Sequence, residues 1–328
     1  MHEKGGGISA FFTSLCGFHI PVMESGHPAR MMMGLRRRTP LFPELSYASA
    51  TQPPLKRWFI RSVEGLSGRD RYARLYAVWR ERIVPGGSSV FAGMLDLIDV
   101  TLRYDGQWPP AGLPDGPLVI VANHPYGIGD GVAILSLAEQ LGRPFRVMIH
   151  ADLLRVREME PYALPVDFSE TRAALVNNMA MRKEAVRLLK DGVTIVVFPA
   201  GGVATAPKGF GRAEDLPWKL FPARLVQEAR ASVVPIYFSG QNGRLFHLAS
   251  RVSMTARTSL LIREFARLSG RTIEARIGPV LSWGELSGIT DRKQLTARMF
   301  DAVFSLGRTR QERAARRFQR RPDMADAA

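Results

Sequence analysis

Cysteine is almost missing from this chain: Cys16 is the only one in 328 residues. That excludes an internal disulfide framework and suits a reducing compartment. Long apolar runs are missing too, since none approaches the roughly 18–20 residues a membrane-crossing helix needs. The best N-terminal stretch, Ile8 to Met23, is broken by Ser9, Thr13, Ser14, His19 and Pro21 and follows a single lysine, so no signal peptide is expected. No Gly-x-Ser-x-Gly elbow is present, which argues against a serine hydrolase. There is no His-Glu-x-x-His, and His150 with Asp152 is too sparse a set for zinc, so no metal is expected. Gly5–Gly7 and Gly201–Gly202 match neither a Walker loop nor a dinucleotide fingerprint, and no cofactor is expected. Acidic residues are scarce: 30 Asp+Glu face 45 Lys+Arg, a formal charge of +15. Such an excess implies an anionic partner.

Much of the positive charge lies at the ends. Arg30 and Arg36–Arg38 punctuate an N-terminal leader without periodicity, and seven arginines fall between Arg308 and Arg321 against one acid, Glu312. On a helix Arg313, Arg316, Arg317 and Arg320 would form one basic stripe. An anionic membrane surface fits this distribution. Specific nucleic-acid binding is not expected, because the charges flank the core and no reading module is present.

Hydrophobic residues make up 46% of the chain, enough for a sizeable core. Short apolar runs alternate with amphipathic stretches from Pro117 to Leu281, a β-α-β-α rhythm that predicts one open mixed β-sheet with helices on both faces. Two amphipathic helices, separated near Gly65–Gly68, should precede it. Trp58, Phe59, Tyr72, Tyr76 and Trp79 on them suit core packing, and their flanking arginines also suit a membrane interface. The expected organisation is a leader at 1–54, a helical segment at 55–112 packed on the core, an α/β domain at 113–306 and a basic tail at 307–328.

Residues 116–131 carry the most chemistry. Leu118 to Ala122 reads as a buried strand, ending at Asn123-His124-Pro125, and a glycine-bearing turn leads to Asp130. A histidine at the end of a core strand, with a carboxylate six positions on, is one way to build a base and the group that orients it. The same residues also fit a strand-end histidine and an aspartate that caps the next helix. On these residues alone both readings stand.

This stretch resembles the first motif of the lysophospholipid (glycerol-phosphate) acyltransferase family, Asn-His, four residues, then Asp. Here five residues separate His124 from Asp130, and the extra one falls among Gly127, Ile128 and Gly129. A bacterial branch of that family named for hemolysins is similar in having this longer spacing. Further on, Val193–Phe198 reads as a second buried strand running into Pro199-Ala200-Gly201-Gly202. Most of the family has Phe-Pro-Glu-Gly there; the hemolysin branch resembles this chain in its Phe-Pro-Ala-Gly. Leu164–Asp167, followed by a helix from Met179 to Lys190, looks like the second block, without that block's arginine after Asp167. Asp215–Trp218 and Val233–Gly240 look like the fourth, whose proline ends a strand beside the acyl-binding side. The resemblance covers roughly residues 60–306.

The resemblance implies an acyltransferase-like fold and an acyltransferase that uses acyl-CoA or acyl-carrier protein as donor. The acceptor would be a lysophospholipid or similar monoacyl lipid at the cytoplasmic membrane surface, with the enzyme peripheral. His124 would be the general base and Asp130 its partner. Asn123, Gly127, Gly129, Phe198, Pro199, Gly201 and Gly202 would contact substrate, with backbone N–H groups of the glycine loops receiving the oxyanion. Lys208 and Arg212, then Arg172, would meet an acceptor phosphate. The missing motif glutamate and arginine leave room for two other readings: a lyso-aminolipid acceptor of the ornithine-lipid type, or a lipid-binding relative without turnover.

Overall fold

The run Leu118–Ala122 forms a strand in which all five residues are buried, so both of its faces must be covered. The computed structural model, which describes residues 42, 45, 46, 48, 53–66, 69–167 and 171–308, shows how. The elements are α1 (Pro54–Leu66), α2 (Arg69–Val78), α3 (Val90–Leu97), β1 (Val100–Asp105), β2 (Leu118–Ala122), α4 (Ile128–Glu139), β3 (Phe145–His150), β4 (Ala163–Val166), α5 (Arg172–Lys190), β5 (Thr194–Val197), α6 (Phe221–Ala229), β6 (Ser232–Phe238), α7 (Arg244–Val252), α8 (Met254–Ala266), β7 (Arg271–Ile277), α9 (Trp283–Leu286) and α10 (Arg292–Leu306). The seven strands form one open sheet in the order β1-β7-β6-β2-β5-β3-β4. Pairing is parallel from β6 to β4, antiparallel between β6 and β7, and parallel again between β7 and β1. The expected mixed sheet with helices on both faces is borne out.

Successive side chains of a strand point to opposite faces, and β2 divides its residues between two cores accordingly. Leu118, Ile120 and Ala122 pack with α3 and α4, among them Phe91, Ile134 and Leu137. Val119 and Val121 pack with α5, α6 and α10, among them Leu189, Leu225 and Met299. Each such fully buried aliphatic side chain contributes about 1.5–3 kcal/mol relative to an exposed one. Near-continuous apolar runs such as β2, β5 and β6 are the signature of strands covered on both sides.

The structure corrects three expectations. The segment 55–112 is not helical throughout: it ends in β1, which joins the sheet edge with Val100 opposite Arg271. The helix expected from Met179 begins seven residues earlier, at Arg172, because the Thr171 hydroxyl caps it by accepting the Ala174 N–H at 3.0 Å. Pro235 lies inside β6 and does not end it. Its backbone faces the β7 side, where Val233 bridges Leu281 and the Pro235 carbonyl accepts the Gly278 N–H, so the missing N–H leaves the β2 pairing intact.

The helical pair divides between core and solvent. Ile60, Tyr76 and Trp79 are buried, whereas Leu55 and Trp58 are exposed. The Trp79 indole donates to the Val90 carbonyl at 2.8 Å, tying this layer to α3. No helix among the described residues is long and apolar enough to cross a membrane. The leader's arginines and methionines and the basic stripe after Arg308 lie outside the described residues, as does Phe168.

Candidate active site

In open α/β sheets, ligands bind beyond the carboxyl ends of the parallel strands. Here the carboxyl ends of β2, β5 and β6, three neighbours, converge with the N-terminus of α4. His124 follows β2 by one residue. Its Nδ1 lies 2.8 Å from Asp130 Oδ1, an ion-pair contact, and neither atom makes a hydrogen bond among the described residues. Asp130 is fully buried in the first turn of α4, and its other oxygen accepts the Tyr126 N–H at 2.8 Å. Gly127, not Asp130, is the residue before the helix. With φ 78° and ψ −103°, it makes the turn that accommodates the extra residue between His124 and Asp130.

A carboxylate at Nδ1 favours the tautomer protonated there, which leaves Nε2 as the basic nitrogen. Phe198, at the end of β5, stacks on the imidazole with ring centres 4.0 Å apart and 25° between planes. The ring is therefore held in its plane by an aromatic face and along its edge by a carboxylate. The Ala204 N–H donates to the His124 carbonyl at 2.7 Å, pinning the loop after β5 against the same residue.

A second carboxylate stands at this histidine, one that reading the sequence did not single out as a site residue. Asp215 Oδ1 accepts the His124 backbone N–H at 3.2 Å, and Oδ2 accepts the Trp218 indole N–H at 3.1 Å. Burial pushes its carboxyl up from the ordinary value; the Trp218 and His124 hydrogen bonds and the nearby imidazole oppose the rise, and the charge of Asp130 adds to it. The Asp-x-x-Trp spacing was the available signal, but its contact is 91 residues away in sequence.

Beside these groups lies an open cleft of about 310 Å³, lined by Asn123, Pro125, Arg212, Asp215, Ser239 and Gln241, among others. The expected substrate-contacting residues divide here. Arg212 lines the cleft, and among the described residues its guanidinium has no hydrogen-bond or ion-pair partner. Lys208 and Arg172 are exposed and do not line it. Asn123 is on the wall, yet its amide is occupied by the backbone of β6: Oδ1 accepts the Phe238 N–H at 2.7 Å, and Nδ2 donates to the Phe238 carbonyl at 2.9 Å. It thus locks β2 to β6 where His124 begins.

The glycines also separate by role. Gly129 is buried, and a Cβ there would overlap Leu268 Cδ1, so close packing of α4 accounts for it. Pro199 and Gly201 belong to a turn closed by the Gly201 N–H on the Phe198 carbonyl at 3.0 Å. The Gly131 N–H is likewise spent, on the Gly127 carbonyl. The Gly202 N–H and those of Ile128 and Gly129 at the start of α4 have no partner among the described residues, leaving them as candidate oxyanion donors. Among the described residues no group of three or more His, Cys, Asp or Glu could hold a metal.

An Asp–His pair beside a cleft at the sheet's carboxyl edge, with Asp130 fully buried and His124 partly exposed, suits proton abstraction from a hydroxyl, and residues 107–239, which contain it, match the acyltransferase family model. The matched span carries the site and marks the chain as an acyltransferase. Two curated proteins, both named lyso-glycine lipid O-acyltransferase, are similar to it. That of Phocaeicola vulgatus is 23% identical over 232 residues, 67% of this chain and 78% of its own length. That of Bacteroides thetaiotaomicron is 29% identical over 176 residues, 51% of this chain, which spans only 58% of that relative. Among solved structures, the 1-acyl-sn-glycerophosphate (LPA) acyltransferase of Thermotoga maritima is similar at 18% identity and a TM-score of 0.43, covering 76% of this chain and 90% of the other.

Proposed function

We propose that this enzyme moves a fatty-acyl group from an acyl thioester, acyl-CoA or acyl-carrier protein, to the hydroxyl of a lysolipid at the cytoplasmic face of the membrane. The observation that carries the reading is the His124–Asp130 pair, 2.8 Å apart beside an open cleft. His124 Nε2 takes the proton of the acceptor hydroxyl as its oxygen attacks the thioester carbonyl. Asp130 keeps the other ring proton on Nδ1 and stabilises the imidazolium. The carbonyl oxygen becomes an oxyanion received by the free backbone N–H groups of Gly202 and the start of α4. As the tetrahedral centre collapses, the C–S bond breaks, and the thiolate leaves with the proton from Nε2. The product is an ester and a free thiol.

Two observations favour a lyso-aminolipid acceptor over a glycerol phosphate. Both curated relatives carry lyso-glycine lipid in their names. Of the three cations expected to meet a phosphate, only Arg212 is on the cleft, and one guanidinium balances a single carboxylate but not the charge of about −1.5 to −2 on a phosphate monoester. The test is to incubate purified protein with labelled acyl-CoA or acyl-carrier protein and a panel containing lyso-glycine lipid, a lyso-ornithine lipid and lysophosphatidate, alongside His124→Ala. Ester formation that vanishes in the variant supports the reading, and the best acceptor names the headgroup. Transfer that survives in His124→Ala would overturn it.

A further inference from the structure

We propose that the outer face of α7, together with the turn 207–212 that lies on it, is the surface by which the enzyme docks on an anionic lipid bilayer. The proposal rests on the lipid-acceptor reading above and names the surface that reading requires.

The argument begins with helical spacing. Leu245, Leu248 and Val252 fall at i, i+3 and i+7, on one side of α7. They are 48%, 50% and 85% exposed, whereas Phe246 and His247 on the other side are buried. The helix therefore satisfies the core with one face and keeps a second apolar face in the open. Phe210, 66% exposed, joins it from the neighbouring turn. That turn is bent by Gly209 and Gly211, at φ 79° and 93°, and is held to α7 by the Arg251 guanidinium, which donates to the Lys208 carbonyl at 3.0 Å. A Cβ on Gly209 would sit 3.1 Å from Leu248, so the turn and the helix are in contact.

The charge carried by the turn and by α7 itself is positive, with Glu264 buried against the Gly243 N–H and Glu214 just past the turn. Residues 207–213 and 240–263 contain no aspartate or glutamate, while Lys208, Arg212, Arg244 and Arg251 are exposed within them. Large apolar side chains interleaved with arginines on one helix face are the pattern of a helix lying in the headgroup region, its arginine stems reaching outward to phosphates. An acidic protein would match the arginines but leave Val252 and Phe210 without a purpose. The surface is also continuous with the site: the same turn runs on to Arg212, which lines the cleft. An acceptor could then reach His124 without leaving the bilayer surface.

The experiment uses the full chain and vesicles of phosphatidylcholine with or without phosphatidylglycerol. The triple variant Leu245→Gln, Leu248→Gln, Val252→Gln alters only exposed positions, so its unfolding midpoint and its transfer to detergent-dispersed acceptor should match the parent. Its partition onto anionic vesicles should fall at least about tenfold, and Arg244→Glu should lower it further, by roughly fivefold or more. In a Cys16→Ser background, an environment-sensitive dye on Val252→Cys should shift to the blue with anionic vesicles, whereas one on Glu285→Cys should not. Unchanged partition of the triple variant, or equal shifts at both positions, would overturn the proposal. So would retained vesicle binding with lost affinity for acyl-carrier protein, which would assign the face to a protein. Failure of transfer in detergent by every form, with vesicle binding intact, would overturn the catalytic reading and leave the docking surface standing.

Discussion

Replacing Asp130 by asparagine changes one atom of a fully buried side chain and should abolish most turnover without unfolding the protein. One carboxylate oxygen faces His124 Nδ1 at 2.8 Å, and the other accepts the Tyr126 backbone N–H. Asparagine has only one oxygen to offer. The Tyr126 N–H is fixed in the backbone and cannot become an acceptor, whereas the imidazole can move its proton. The amide oxygen should therefore take Tyr126, and the amide NH₂ should face Nδ1. That forces the proton onto Nε2 and removes the base. A wrong tautomer in a histidine–carboxylate pair costs about 10⁴-fold in kcat, equivalent to about 5.4 kcal/mol of barrier. Both asparagine groups keep a partner, so stability should change by no more than about 1–2 kcal/mol. Thiol release from acyl-CoA in the presence of acceptor reads the first quantity, and urea unfolding reads the second. If Asp130→Asn kept more than about a tenth of the activity, a drop below 1.4 kcal/mol, while His124→Ala was inactive, the tautomer argument would be wrong.

Asp215 yields a prediction about pH. Because burial raises its carboxyl above the ordinary 3.8, the folded protein holds a proton that the unfolded chain has already released. Its contribution to stability is therefore full below pH 3.8 and is lost as pH rises through the raised value; urea midpoints of the parent should fall relative to Asp215→Asn over that interval, and a constant gap would refute it. His247 has the opposite sign. Its Nδ1 accepts the Ala206 N–H at 3.3 Å, and burial lowers its pKa below 6.5. Stability should be lost as pH falls from 6.5 through the lowered value, and that slope should vanish in His247→Gln. Gly129→Ala places a Cβ against Leu268 and should cost about 1–3 kcal/mol. Combining it with Leu268→Ala should cost less than the sum of the two single changes, as a double-mutant cycle of unfolding free energies would show.

Local pattern carried much of this protein. Apolar runs of strand length at Leu118–Ala122 and near Val193–Phe198 become β2 and β5, and the aromatic stripes before them become α1 and α2. His124 and Asp130 meet because strand end, turn and first helical turn follow one another directly, so their spacing in sequence is nearly their spacing in space. Such features depend on the periodicity and stiffness of a few neighbouring residues.

Tertiary structure decided the rest. Only packing of β5 against β2 brings Phe198 onto the imidazole, and only the fold of the loop before α6 sets Asp215 beneath it. Sequence ranks Lys208 and Arg212 together, ahead of Arg172, yet only Arg212 of the three lines the cleft. The strand Val100–Asp105 went unrecognised because its pattern is mostly exposed, and its identity comes from pairing with β7, which lies at the sheet's antiparallel junction. Sequence determined the short-range elements and the His124–Asp130 pair, because these follow from contacts between near neighbours. The surroundings of that pair follow from which distant segments bury one another, a balance of the whole core that no single stretch of residues contains.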